Sequence, residues 1–248
     1  MNNTHTAYDV MKEYLITGAE LYGPYQIPVI PPMQLAPKKS IDFVSSKSRS
    51  LKGHKDLTVN FYIDDKSFLQ VWNQPDQYIE HLKCFHSVCS PDFTIASGMP
   101  SALNIYNLYR NHALGYYWAV MGVRIIPSVN IISPKEMPWI FDGTPRMSTV
   151  SCCTNGRVRS KSARMEFCEN FKEMLDAIEP TKVVIVGIVP DELNVDVPII
   201  NLNSRSQNMK EIYRKEQQAW EQSAKMRQNA EKKKQAGRRE EEPRLLVP

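Results

Sequence analysis

Between residues 57 and 202 short apolar runs alternate with amphipathic stretches, and the runs are apolar almost throughout. LTVNFYIDD, FHSVCSPD, VRIIPSVNI, MSTVSCCTNG, TKVVIVGIVP and VPIINLN are the six. A strand with one wetted face alternates apolar and polar side chains, whereas one without that alternation is buried on both faces. Such strands belong to parallel sheets covered by crossover helices. The intervening segments read as helices. KSFLQVWNQPDQYIEHLKC has helical spacing interrupted at Pro75. SALNIYNLYRNHALGYYWAVMG sets Leu103, Tyr106, Tyr109, Ala113 and Tyr117 three and four residues apart and stops at Gly122. SARMEFCENFKEMLDAIEP is the next.

The fold class expected is α/β with about six mainly parallel βα units. Six units cannot close an ordinary eight-stranded barrel, so an incomplete or irregular TIM-barrel-like sheet is expected. An open doubly wound sheet is the alternative. Residues 1–55 read as an irregular Pro-rich segment packing on the core, with a helix over 8–21, five prolines in GPYQIPVIPPMQLAP, and a polar loop, KKSIDFVSSKSRSLKGHKD. Residues 56–205 form the core domain. Residues 206–248 read as a charged helical tail, helical to about Lys234 and docking by its first turns, with a disordered end and a weak stripe of Ile212, Tyr213, Ala219, Trp220 and Met226.

Charge is distributed unevenly. Residues 209–248 hold eleven Lys/Arg against seven Asp/Glu, which accounts for the whole net charge of +4; the rest of the chain is balanced. Nucleic acid would therefore be met through 209–248, and a solubilising tail is the alternative. No run of 18 apolar residues is present, and the N-terminus lacks a basic start with an apolar block, so no membrane partner and a cytoplasmic location are expected. Five cysteines in no zinc-like spacing read as buried thiols.

Parallel α/β folds gather ligands outside the carboxyl ends of their strands. Each run leaves its strand in polar residues: Asp64-Asp65, then Ser90-Pro91-Asp92, then Pro127 to Asn130, then Cys152 to Gly156, then Gly187 to Asp191. Asp64 and Asp92 are the candidate catalytic residues, since neighbouring carboxylates raise one another's pKa and divide into acid and base. If the strand continues through both, Asp64 and Asp65 face opposite ways, and Asp64 points inward with Tyr62. Arg110, Asn111, Asn130, Thr154 and Asn155 are candidate ligand-binding residues, Arg110 through bidentate contact with an anion or through an ion pair tying helix to strand ends. The competing role for Asp65, Asp92 and Asn155 is helix capping. A divalent cation is the one cofactor the carboxylates would accept, with no metal ligand set defined. Phosphate-loop, dinucleotide, zincin and nucleophile-elbow motifs are missing. Cys152 or Cys153 could serve as nucleophile only with a His that the sequence does not place nearby.

YIDD (62–65), SPDF (90–93), YRNHALGYYW (109–118), IIPSV (125–129), FDG (141–143) and IEPTKVVIVG (178–187) occur in an order and spacing that resembles a bacterial and phage family, the domain of unknown function numbered forty-four seventeen, over roughly residues 10–205. The resemblance implies a βα-repeat protein on a phage or mobile element, acting in the host cytoplasm if phage-encoded, and implies no activity. The residues by themselves point to an enzyme performing hydrolysis or group transfer on a small polar or phosphorylated substrate. They leave open a non-catalytic ligand-binding protein, or a nucleic-acid accessory protein using its tail. They leave oligomeric state open as well.

Overall fold

The structure is a computed structural model that describes residues 11–48 and 55–240. It is mixed α/β. A small antiparallel pair, β1 (Leu21–Tyr22) and β2 (Ile27–Pro28), precedes two parallel sheets. The first sheet has the order β3 (Lys39–Asp42), β4 (Leu57–Asn60), β5 (Ser87–Cys89), β6 (Ile125–Ile126). The second has the order β7 (Thr149–Cys153), β8 (Lys182–Val186), β9 (Ile199–Leu202). Helix α1 (Phe43–Ser46) follows β3, and α2 (Gln70–Asn73) and α3 (Ile79–Lys83) lie between β4 and β5. Helix α4 (Ser101–Val120) joins β5 to β6, α5 (Lys161–Ile178) joins β7 to β8, and α6 (Arg205–Glu240) ends the described chain.

Neighbouring strands run in chain order, without the reversal of order that marks a doubly wound sheet. Among the described residues the ladder does not form a closed barrel either. It divides after β6, where Pro127 has no N–H to donate, and resumes through the parallel bridge between Ser128 and Ser151. There Ser151 N donates to Pro127 O at 2.8 Å and Val129 N to Ser151 O at 2.7 Å, carrying one sheet into the next.

Phe43, Phe61, Phe68 and Trp118 form the centre of the first core. Phe61 stacks on Phe43 (centroids 4.8 Å apart) and lies 5.9 Å from Trp118. The second core lies under α5, where Phe167, Phe171 and Met174 cover Val183 and Ile185. Helix α5 begins on Ser160, whose Oγ accepts from Ala163 N at 3.1 Å, and ends with Glu179 in the left-handed region.

Two expectations for the N-terminal segment change. The helix expected over 8–21 is a 3₁₀ turn at Glu13–Ile16 with Leu15 buried; its first three residues lie outside the described chain. The polar loop expected around residues 38–55 instead holds β3 and α1. Asp42 caps α1, accepting from Ser45 N at 3.0 Å and from Ser45 Oγ at 2.6 Å, and Phe43 enters the core. Residues 49–54 of that loop lie outside the described chain.

The described residues from Ser206 onward form a separate unit. Its helix runs to Glu240 rather than Lys234, and Trp220 and Met226 are 72% and 71% exposed. Among the described residues, no helix is long and apolar enough to cross a membrane.

Candidate functional site

The exits of β4, β5, β6 and β7 surround a cavity of about 660 Å³. Part of its wall is the extended segment 93–96, which leaves β5 and is held by three asparagines of α4 spaced three and four apart. Asn111 accepts from Phe93 N at 2.7 Å and donates to Phe93 O at 3.3 Å. Asn107 donates to Thr94 O at 2.5 Å, and Asn104 exchanges hydrogen bonds with both Ala96 N (3.1 Å) and Ala96 O (3.0 Å). One helix face thus completes the backbone pairing that a neighbouring strand would otherwise supply.

Below the cavity lies a layer of hydroxyls. Tyr62 Oη donates to Ser151 Oγ at 2.9 Å and lies 3.3 Å from Ser128 Oγ. Ser128 Oγ donates to Ser90 O at 2.6 Å, and Ser90 Oγ accepts from Ser128 N at 2.8 Å. Burial holds the Tyr62 phenol well above its ordinary pKa, so it stays protonated and donates.

Asp92 stands above this layer, half-buried, with Oδ1 accepting from Asn130 Nδ2 at 3.1 Å. Burial raises its pKa first and the like charge of Asp65 adds to that. Arg157 and Asn130 oppose them, and the result is about 6. Asp92 is not a helix cap, because α4 starts on Pro100. Asp65, in turn, accepts from Thr94 N at 3.1 Å and from Thr94 Oγ1 at 2.9 Å, which fastens the β4 exit to the β5 exit.

The candidate residues separate into those that meet here and those that do not. Asp64, Asp92, Asn130 and Asn155 line the cavity. Asp64 does so with an exposed carboxylate 3.7 Å from Lys66 Nζ; its neighbour Asp65, not Asp64, is the one tied across to the β5 exit. Strand β4 ends at Asn60, so the alternation that would turn Asp64 inward stops before it. Thr154 lies behind the wall, fully buried against Gly187, with Oγ1 unpaired. Asn111 is structural, as described above. Arg110 does not line the cavity: its guanidinium lies 3.7 Å from the Phe93 ring centroid and 4.9 Å from that of Tyr106, and Nη2 donates to Asn107 Oδ1.

Among the described residues two cations line the cavity, Lys66 beside Asp64 and Arg157, and Arg157 is a residue that sequence reasoning passed over. Its Nη1 donates to Ile131 O at 2.9 Å and its Nη2 to Asn130 Oδ1 at 3.2 Å. Asp65, Tyr62, Thr94 and Cys153 complete the polar lining. Burial pushes the Cys153 thiol up to about 12, so at neutral pH it is not a thiolate nucleophile. His112, fully buried with Nδ1 3.1 Å from Pro28 O, serves the core. Among the described residues no three His, Cys, Asp or Glu side chains are grouped to hold a metal ion.

Comparison with known proteins follows this geometry. The family model described as Domain of unknown function (DUF4417) matches residues 19–203, which span every element just described from β1 to β9. Gene 1 protein of Mycobacterium phage L5 is 26% identical over 174 residues, covering 70% of this chain and 76% of that protein. Gene 1 protein of Mycobacterium phage D29 is 26% identical over 163 residues, covering 66% of this chain and 60% of that one. No solved structure gives a significant match.

Proposed function

The chain belongs to the DUF4417 family and is similar to two phage proteins, and on that premise we propose that it binds a small polar or phosphorylated ligand in the strand-exit cavity and acts on it by hydrolysis or group transfer, with Asp92 moving the proton. The observation that carries this is the state of Asp92. A carboxyl with a pKa of about 6, open to a cavity of 660 Å³, exchanges protons near neutral pH, which is what a general acid or base requires. Cavities of ~300–1,000 Å³ are the usual size for small-molecule sites. Asp65 supports the raised pKa by its charge, while Arg157 and Asn155 offer donors to an anionic group.

The same reading takes the two sheets as an incomplete, irregular barrel. Ser40 Oγ donates to Asn203 O at 2.5 Å, which brings the outermost strand of the first sheet to the end of the last strand of the second.

A thermal-shift panel of sugar phosphates, nucleotides and divalent metals on wild type and Asp92→Asn tests the proposal. A ligand at about a hundred times its Kd stabilises the fold by roughly 2.7 kcal/mol. Turnover of that ligand by wild type, lost in an Asp92→Asn protein that melts no lower, supports proton transfer at Asp92. Ligand recovered intact after long incubation with wild type would make this a binding protein instead. A second reading, contact with nucleic acid through residues 209–248, is favoured by their excess of basic side chains. It requires affinity that falls steeply with salt and disappears when those residues are removed.

A further inference from the structure

Arg157 lines two cavities. Beside the larger one lies a second of about 290 Å³, and Ile95, Ile131 and Arg157 line both. The second cavity has a different chemistry. Ile132 and Phe167 give it apolar walls, while Glu166 and Asn170 from α5 supply carboxylate and amide groups. A guanidinium has five N–H donors. Arg157 uses two of its donors on the β6 exit, through Nη1 to Ile131 O and Nη2 to Asn130 Oδ1, so its plane is fixed while donors remain for a ligand.

A fixed cation shared by both chambers, with Lys66 lining only the larger one, matches a ligand whose negative charge lies between two uncharged arms. A terminal phosphate would place its charge at the far end of one chamber and leave the other unused. Resting on the reading of the larger cavity as a ligand site, we infer that the chain takes a phosphodiester joining two nucleoside-sized groups, with the phosphate at Arg157. One nucleoside occupies the larger chamber beside Asp92. The base of the other enters the smaller chamber between Ile132 and Phe167, and its N–H edge meets the Glu166 carboxylate. Guanine, with adjacent N–H donors, fits a carboxylate acceptor best.

Calorimetric titration of the full chain with guanylyl-(3′→5′)-guanosine, GMP and guanosine tests this. The diester should bind more tightly than GMP by about tenfold or more, the consequence of one added charge-assisted contact. Arg157→Ala should lose that affinity, and Arg157→Lys should recover it only in part, because an ammonium cannot keep both anchoring bonds and reach the ligand. Glu166 is exposed on α5, so Glu166→Ala should leave the melting temperature unchanged while it weakens binding of the diester. A single-stranded guanine-containing decamer decides the source. Equal dependence on Arg157 with tighter binding assigns the diester to a nucleic-acid strand, and dinucleotide binding alone assigns it to a free molecule. A diester that binds no better than GMP overturns the inference while leaving the larger cavity's role standing. Absence of binding by every probe overturns the inference, and the thermal-shift panel of sugar phosphates and nucleotides then decides the larger cavity's role separately. A diester that binds through Arg157 but is unaffected by Asp92→Asn in binding and turnover upholds the inference and removes proton transfer at Asp92.

Discussion

The amide of Asn130 links Arg157 to Asp92, accepting from Nη2 of the first at 3.2 Å and donating to Oδ1 of the second at 3.1 Å. Even with that support, ionised Asp92 is held at a cost, and the cost has a pH signature. Its folded pKa of about 6 lies above the ordinary carboxylate value, so the native state binds the proton more tightly than the unfolded chain. Stability contributed by the protonated carboxyl is complete below about pH 4 and is lost as pH rises through 6. Asp92→Asn should therefore be more stable than wild type at pH 7.5 by roughly 1–2 kcal/mol, allowing for screening by water in the cavity, and equal to it below about pH 4. Urea denaturation across that range measures the difference.

His112 predicts the opposite slope. Burial holds its imidazole neutral, with a pKa lowered to about 4 against an ordinary value of 6.5. Stability is complete above the ordinary value and falls with acidification from about pH 6.5 to 4, by up to about 3 kcal/mol. In wild type the two groups oppose each other over pH 4–6 and flatten the profile. Asp92→Asn should expose the His112 slope, so that this variant loses stability on acidification more steeply than wild type. A parallel pair of pH profiles would show that Asp92 is not in the environment described, and an Asp92→Asn profile that stays flat between about pH 6.5 and 4 would show the same of His112.

Arg110 should matter to the fold and not to the ligand. Its guanidinium covers the Phe93 ring and its Nη2 holds Asn107, which in turn holds Thr94. Arg110→Ala is expected to lower stability by about 1–2 kcal/mol, from lost cation–π contact and stem packing, with ligand affinity changed less than twofold. An affinity loss matching that of Arg157→Ala would place Arg110 at the ligand after all.

The cysteines should react in an order set by exposure and pKa. Cys84 is exposed, whereas Cys89 is buried with its thiol pushed up to about 12, and Cys153 is only partly open with a similar shift. Iodoacetamide at pH 7.5, followed by peptide mass analysis, should label Cys84 first and leave Cys89 and Cys153 unmodified on the same timescale. Early labelling of Cys153 would mean that its thiol ionises more readily than its surroundings imply.

Most of the strands were legible because parallel strands buried on both faces leave unbroken apolar runs, and β8 is the clearest instance. Strand β3 was not, because KSID buries Ser40 and Asp42 through hydrogen bonds to Asn203 O and to Ser45 rather than through apolar surface. The exits pointed to the cavity for the same topological reason. The parity that favours Asp64 over Asp65 holds only inside a strand, and β4 ends at Asn60. The spacing of Asn104, Asn107 and Asn111 carried the signal of a polar helix face, and Asn111 taken alone looked like a ligand group. Arg157 lies in a loop of mixed polar residues, where no period marks one side chain above its neighbours.

The hydroxyl layer under the cavity has an evolutionary consequence. Tyr62, Ser90, Ser128 and Ser151 each supply what another requires, and Ser128 and Ser151 also carry the bridge between the sheets. Losing one hydroxyl leaves a buried partner unsatisfied, at about 1–3 kcal/mol, whereas losing a facing pair together leaves less behind. Lineages of this fold should therefore exchange these positions in concert, so that an alanine at one serine is accompanied by a change at its partner.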